Sequence, residues 1–271
     1  MDVGLLRRER DDGQWRSQYS FLTVFSLSVF LAGLSHSFLT PWLWDYFETV
    51  LSTQTNADST TQGFVWAANT IGELCGALGF GLLYNHSSVR VTLLLCMSAG
   101  VLAGLMHFWA SLAAEVLVPM EILIGVRLLQ GLWIGGQLTI VQAYVSEVVN
   151  DCHKLKVLAE LGIASVLGLL LGPAAGMVLS ALQLHLSQAW PGGLYLTALV
   201  HVICVSSVLI VTYAYFEEFP ITFRLSEDVP QPRKSGLLLC LLICIALKSG
   251  FAVSEHISKP LLTYSPSVLS I

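Results

Sequence analysis

The chain has 271 residues, of which 55% are hydrophobic and only 11% are charged, with a net charge of −5 at pH 7. A soluble domain carries about 25% charged residues, and this much apolar surface cannot be buried inside a protein of this size, so lipid is the predicted solvent. The sequence has no long basic run, which excludes nucleic acid as a predicted partner, and its six cysteines lack the spacing of a disulfide framework or zinc site.

Residues 1–20 form a polar tail that we predict to be cytoplasmic. We do not expect a cleavable signal peptide here, because the apolar segment that follows is too long for one. Asp2 shortly before Leu5 and Leu6 resembles a dileucine sorting signal, which would suit an endosomal or lysosomal address. The alternative is a chance pair of leucines in a disordered tail.

Seven apolar segments approach the roughly 20 residues that a membrane-spanning helix needs. Helices are predicted rather than strands, because lipid cannot satisfy open backbone groups. The segments cover residues 21–44, 63–83, 91–110, 116–144, 158–182, 194–216 and 236–251.

These segments predict a six-helix transmembrane bundle over residues 21–216, a central cytoplasmic loop over 217–235, and a seventh helix with the chain end over 236–271. The fold class is therefore an all-α membrane protein. An odd span that is followed so soon by the chain end suggests an incomplete molecule.

The basic residues predict the orientation of the bundle. Ten of the 13 Lys and Arg residues lie in the tail and in the connections after the second, fourth and sixth spans. The positive-inside rule therefore predicts a cytoplasmic N-terminus. Asn85, His86 and Ser87 fit a glycosylation sequon, but this site is cytoplasmic in the predicted topology, and we expect it to be unmodified.

The second span carries Trp66, Asn69 and Glu73 at helical spacing on one face. Glu73 would bind a proton in a dry site but would stay charged beside Arg127, and a carboxylate that alternates between these states could couple protons to transport. A fixed ion pair that sets helix packing is an equal alternative. His36 in the first span is a further candidate, unless it faces water or headgroups.

The fourth span contains the run IGVRLLQGLWIGGQ, in which Arg127, Gln130 and Gln137 fall within one sector of the helix. A charge at mid-membrane costs on the order of 3 kcal/mol and normally faces a bundle interior or a watery cavity. These residues therefore indicate a site for a substrate, an ion or a proton. The alternative is a structural arginine whose donors are satisfied by carbonyl groups.

Small residues at four-residue spacing let two helices approach closely. We predict this packing role in the fourth and fifth spans, with a hinge at the proline as the alternative. The residues are Gly131 and Gly135 in the fourth span and Gly168, Gly172, Pro173 and Gly176 in the fifth. In the seventh span, Lys248 lies about two helical turns before Glu255, and both are further candidates for the polar site.

Three stretches resemble the major facilitator superfamily. RLLQG, from Arg127 to Gly131, is similar to that family's fourth-helix pattern, and GLLLGPAAG is similar to its fifth-helix pattern. GLLYNHSSVR, from Gly81 to Arg90, resembles the loop signature between helices two and three. Asn85 stands where that signature has an aspartate, a departure that bears on the charge relay by which the loop gates transport.

Two further stretches, IGELCGALGFGLLYN and FAVSEHISKPL, resemble a lysosomal subgroup of the superfamily. This subgroup comprises relatives of major facilitator superfamily domain-containing protein 8 and of the SPX-linked transporters. The resemblance implies twelve helices in two six-helix halves, with the binding site between the halves. This chain would supply the first half and one helix more.

The resemblance implies a secondary active transporter of a small solute or ion, which works by alternating access. Coupling of transport to protons is compatible with this function. Its expected partners are that solute or ion, the lipid bilayer and a second six-helix half, and no cofactor or metal is expected. The expected location is a lysosomal or endosomal membrane, with the plasma membrane as the alternative. The alternative functions are an anion channel of the same family and a non-transporting half that needs a partner. An enzyme is not expected, because the sequence lacks metalloprotease and hydrolase motifs.

Overall fold

The computed structural model describes residues 21–53, 59–113, 120–149, 151–187 and 195–216. Within these ranges the chain forms six helices and no strand, which confirms the predicted all-α fold. The helices are α1 (Phe21–Thr53), α2 (Ser59–His86), α3 (Val89–Ala113), α4 (Met120–Val148), α5 (Asp151–Ser187) and α6 (Tyr195–Tyr215). The tail, the connection over 217–235 and the seventh span with Lys248 and Glu255 lie outside the described residues.

Several helices are longer than the predicted spans. The first continues to Thr53, and α5 begins at Asp151 rather than Leu158. Span prediction counts only the apolar residues that match the bilayer core, whereas a helix continues for further turns wherever its polar residues meet water or headgroups. Among the described residues, α3, α4, α5 and α6 contain segments long and apolar enough to cross a membrane.

The helices α2 and α4 pack against each other through glycine. Gly72 and Gly76 of α2 lie against the main chain of α4, and Gly131 and Gly135 of α4 lie against the main chain of α2. A methyl group at any of the four would meet a carbonyl oxygen of the facing helix. The absence of side chains is therefore what allows this approach, and we call this contact the glycine seam.

A second close contact joins α1 to α5. Gly33 lies against the carbonyl of Ser165, and Gly168 lies against the main chain of α1. Ser37 fills the space beside Gly172 and donates a hydrogen bond of 3.0 Å to the Gly33 carbonyl. The fifth-helix glycines thus allow close packing at 168 and 172.

In the second half of α5, Gly176 is buried. Pro173 stands inside α5, which continues to Ser187.

Aromatic rings gather at one end of the bundle. Phe21 and Phe25 of α1 meet Tyr144 of α4 and Phe216 after α6, with ring centroids 5.1–5.6 Å apart. The start of α1 therefore lies beside the ends of α4 and α6, as it must if successive helices cross in alternate directions. This is the end where the sequence concentrates its basic residues, and its assignment to the cytoplasm stays a prediction.

The turn between α2 and α3 belongs to the same end. Arg90 donates a hydrogen bond of 2.5 Å to the Tyr213 carbonyl and lies over the Tyr213 ring, 5.3 Å from its centroid. Tyr84 donates to the Glu147 carboxylate over 2.8 Å. Asn85 is exposed, and a methyl group at Gly81 would make only ordinary contact with Thr139. This end is thus tied together by Arg90 and Tyr84.

Candidate functional site

The fourth helix brings its three polar residues to the interior of the bundle. Arg127, Gln130 and Gln137 are each exposed by 2% or less. Arg127 Nη1 donates to Gln130 Oε1 over 3.2 Å, and the guanidinium carbon lies 5.2 Å from the centroid of the Trp66 ring on α2. A cation over the face of a tryptophan is stabilised by the negative charge density of the ring. The residues that the sequence assigned to one sector therefore all face inward.

The second and first helices supply an acidic part beside this basic part. Asn69 Nδ2 donates to Glu73 Oε1 over 2.9 Å and lies 3.5 Å from His36 Nδ1. The distance from His36 Nδ1 to Glu73 Oε1 is 3.9 Å. His36 and Glu73 retain 22% and 12% of their side-chain exposure, so both lie at a partly open edge of the bundle. His36 thus joins α1 to the α2 face that carries Glu73.

The glycine seam keeps the α4 residues Arg127 and Gln130 close to the α2 residues Asn69 and Glu73. Gly131, next to Gln130, lies against the main chain of Asn69 and Glu73. Trp66, which lies under Arg127, precedes Glu73 by about two turns on the same face of α2. We call His36, Asn69, Glu73, Arg127 and Gln130 the central cluster. No large side chain stands between the backbones of the two helices that carry most of it.

Two buried histidines extend the central cluster toward α3 and α6. His107 and His201 are each 2% exposed. Together with Gln130 they line a crevice that leaves no room for a water molecule. The Ser35 hydroxyl of α1 lies 3.0 Å from His201 Nδ1, and the Ser35 carbonyl accepts a hydrogen bond of 3.0 Å from Gln130 Nε2.

A second polar contact lies closer to the aromatic end. Gln137 Nε2 donates to the hydroxyl of Ser28 on α1, and both side chains are 1% exposed. The other amide atom, Gln137 Oε1, has no hydrogen-bond partner among the described residues. Gln137 therefore joins α4 to α1 about two helical turns from Gln130. Among the described residues, no hydrogen bond joins it to the central cluster.

The sequence pattern did not single out His107, His201, Ser35 or Ser28. The two histidines carried a usable signal, because each interrupts a long apolar run in the same way as Arg127. The serines carried none, since serine in a membrane helix usually bonds to a carbonyl of its own helix. Ser98, Ser146 and Ser207 all do so here.

The central cluster has the donors and acceptors of a binding site for a small polar molecule. Arg127 and Gln130 can hold an anionic or hydrogen-bonding group, and Glu73, Asn69 and His36 supply a carboxylate, an amide and an imidazole beside them. In the described ranges no group of three or more His, Cys, Asp or Glu side chains is placed to hold a metal ion. The arrangement therefore suits the binding of a small polar molecule.

Comparison with known proteins places these features in a family. The Major Facilitator Superfamily model matches residues 25–270. The chain is also 26% identical over 172 residues to Major facilitator superfamily domain-containing protein 8 from Xenopus laevis. That match covers 62% of this chain but only 32% of the relative, so the chain corresponds to about a third of the relative's length.

Proposed function

Because the chain belongs to the Major Facilitator Superfamily, we propose that it acts as a secondary transporter of a small solute or ion by alternating access, with the central cluster on the transport path. Members of this family are typically transporters rather than enzymes. The chain is a multi-pass membrane protein, as its family and its apolar helices require.

One observation carries this proposal: Arg127 is 98% buried in the interior of an apolar bundle. A charge at mid-membrane costs on the order of 3 kcal/mol, and such residues mark substrate, ion or proton pathways. Arg127 does not stand alone, because Gln130 accepts its hydrogen bond. On the facing helix α2, Asn69 donates a hydrogen bond to Glu73.

The residues divide into two roles. Arg127 and Gln130 bind the solute, and the guanidinium favours a solute with a carboxylate or another anionic group. Glu73 and His36 carry the coupling proton, and Asn69 joins them by contacting both. Protonation of Glu73 would cancel its attraction for cationic groups nearby, so that proton uptake and solute binding influence each other.

Alternating access requires a path to Gln130 to open, since the crevice that Gln130 lines with His107 and His201 leaves no room for a water molecule. A second six-helix half is the proposed partner, with the solute bound between the two halves. Lys248 and Glu255 of the seventh span are further candidates for the wall of the site.

The proposed location is a lysosomal or endosomal membrane, with the N-terminus in the cytoplasm and the plasma membrane as the alternative. The Asp2, Leu5 and Leu6 pattern supports this address. A fluorescent fusion with Leu5→Ala and Leu6→Ala should move to the cell surface, and an unchanged distribution would remove this support.

The test is solute movement into proteoliposomes that contain a pH-sensitive dye. The panel is labelled lactate, alanine, glucose, lysine and chloride, with and without an inward proton gradient. Arg127→Ala should lower uptake roughly 10- to 100-fold, as expected for the loss of one charge-assisted hydrogen bond. Glu73→Gln should abolish the response to the gradient. Glu121→Gln, the same change at an exposed carboxylate on α4, is the matched control.

Each outcome has a distinct meaning. Normal uptake by both Arg127→Ala and Glu73→Gln would show that the central cluster is not the site. Chloride flux that does not saturate would favour an anion channel. Movement of none of the five solutes would favour a non-transporting half, and recovery of uptake on addition of a second half would restore the transporter proposal.

A further inference from the structure

The imidazole of His201 is held on three sides in the bundle interior. Its Nδ1 lies 3.0 Å from the Ser35 hydroxyl. The Trp133 ring meets it edge-on with centroids 5.9 Å apart, and Gly104 lies so close that an added methyl group would stand 2.7 Å from His201 Cδ2. A buried side chain with this many fixed contacts has one orientation, which is how a supporting residue fixes its neighbours.

Ser35 connects this ring to the central cluster. Its hydroxyl meets His201, while its carbonyl accepts the hydrogen bond from Gln130 Nε2 over 3.0 Å. The side-chain oxygen of Gln130, Oε1, then accepts a hydrogen bond from Arg127 Nη1 over 3.2 Å. A continuous series of contacts therefore leads from α6 through α1 to α4 and ends at the guanidinium.

The chemistry of this series sets the orientation of the Gln130 amide. The Ser35 carbonyl can only accept a hydrogen bond, and the guanidinium can only donate one. The amide must therefore point its NH2 group toward Ser35 and its oxygen toward Arg127. A shift of the α1 turn that carries Ser35 would move the acceptor away from Gln130 and release the oxygen that Arg127 uses.

We propose that His201 is a positioning residue, which acts through Ser35 to hold Gln130 and thereby fixes the place of Arg127 in the transport site. His201 itself does not touch the solute. This inference rests on the proposed function, because it gives His201 a role in solute affinity. It also has a structural content that can be tested without any solute.

The solute-independent test is the Gln130 side-chain amide resonance in nanodiscs, from protein labelled with 15N-glutamine. The resonance is assigned by its absence in Gln130→Glu. His201→Leu and Ser35→Ala should both shift it, although Ser35→Ala keeps the carbonyl that Gln130 contacts. His201→Asn should leave it near the wild-type position, because an asparagine δ atom occupies the place of the histidine Nδ1.

The matched control is Thr212→Val, an isosteric change at another fully buried polar residue of α6. It should leave the Gln130 resonance unchanged. The proposal is overturned if His201→Leu lowers thermal stability but leaves the resonance in place, since that is the result of a purely structural bridge. If His201→Leu does not fold, Ser35→Ala decides the question in the same way.

The functional test uses the transported member of the panel of lactate, alanine, glucose, lysine and chloride. His201→Leu should raise KM roughly three- to tenfold, as expected for the loss of one buried hydrogen bond, with little change in maximal rate. His201→Asn should restore the KM. An unchanged KM in His201→Leu would refute the positioning role. If no panel solute moves even after a second half is added, the proposed function fails, and the amide resonance alone decides whether His201 positions Gln130.

Discussion

Gly135→Ala provides the sharpest test of the glycine seam. The new methyl carbon would stand 2.7 Å from Glu73 Cα and closer still to the Glu73 carbonyl oxygen. Carbon atoms in contact prefer about 3.5 Å, so the two helices must separate by at least about 0.8 Å, and the closer carbonyl oxygen requires more. Both clashing atoms belong to the main chain, and no rotamer change can relieve the contact.

The expected loss of stability follows from two opposing terms. Overpacking of a close contact costs about 1–3 kcal/mol, and a rigid main-chain clash belongs at the upper end. Replacement of glycine by alanine in a helix returns about 1 kcal/mol. The net cost is therefore about 2 kcal/mol, which corresponds to a fall in Tm of about 4–8 °C for a chain of this size.

Thermal unfolding in detergent, followed by size-exclusion chromatography of the heated sample, measures this fall. Gly79→Ala on α2 is the matched control, because an added methyl group there meets nothing within 4 Å. It should leave Tm unchanged or raise it slightly. Equal values of Tm for the wild type and Gly135→Ala would refute the close approach of α2 and α4.

Three further predictions concern other contacts. Ser28→Ala should destabilise the protein by about 1–3 kcal/mol, because the buried Gln137 amide then lacks its acceptor. The double variant Ser28→Ala with Gln137→Met should have a Tm close to that of the wild type in thermal unfolding, and additive losses of stability would contradict this. Tyr84→Phe removes the donor to the Glu147 carboxylate and should lower stability by about 1–2 kcal/mol in thermal unfolding. An unchanged Tm would show that water replaces the lost hydrogen bond. Asn85 should carry no glycan in human cells, and a mobility shift on treatment with a glycosidase would reverse the predicted orientation.

Much of the fold could be predicted from the sequence, because in lipid the length of an apolar run and the need to satisfy the backbone leave little choice. The inward sector of α4 followed in the same way, since the cost of exposing Arg127 to lipid requires it to face the interior. The spacing of Gly131 and Gly135 also predicted a close helix contact, and the structure identifies α2 as the helix that meets them.

The sequence alone did not determine which helices meet. Periodicity places residues on a face of one helix, but it does not say which neighbour that face contacts. The neighbours of His36 therefore could not be predicted, and the structure places it beside Asn69 and Glu73. The contact between Ser35 and His201 spans 166 residues of sequence and depends on the packing of α1 against α6, which no local pattern encodes.

Arg90 has a mechanical consequence for the chain that leaves the bundle. It contacts the last turn of α6 through both the carbonyl and the ring of Tyr213. Next to this turn, Phe216 packs against Phe25 and Tyr144. Any segment that follows Phe216 therefore starts from a helix end that is held by contacts with three other helices. A force on that segment would therefore act first on the contacts that join the end of α6 to α1, α3 and α4.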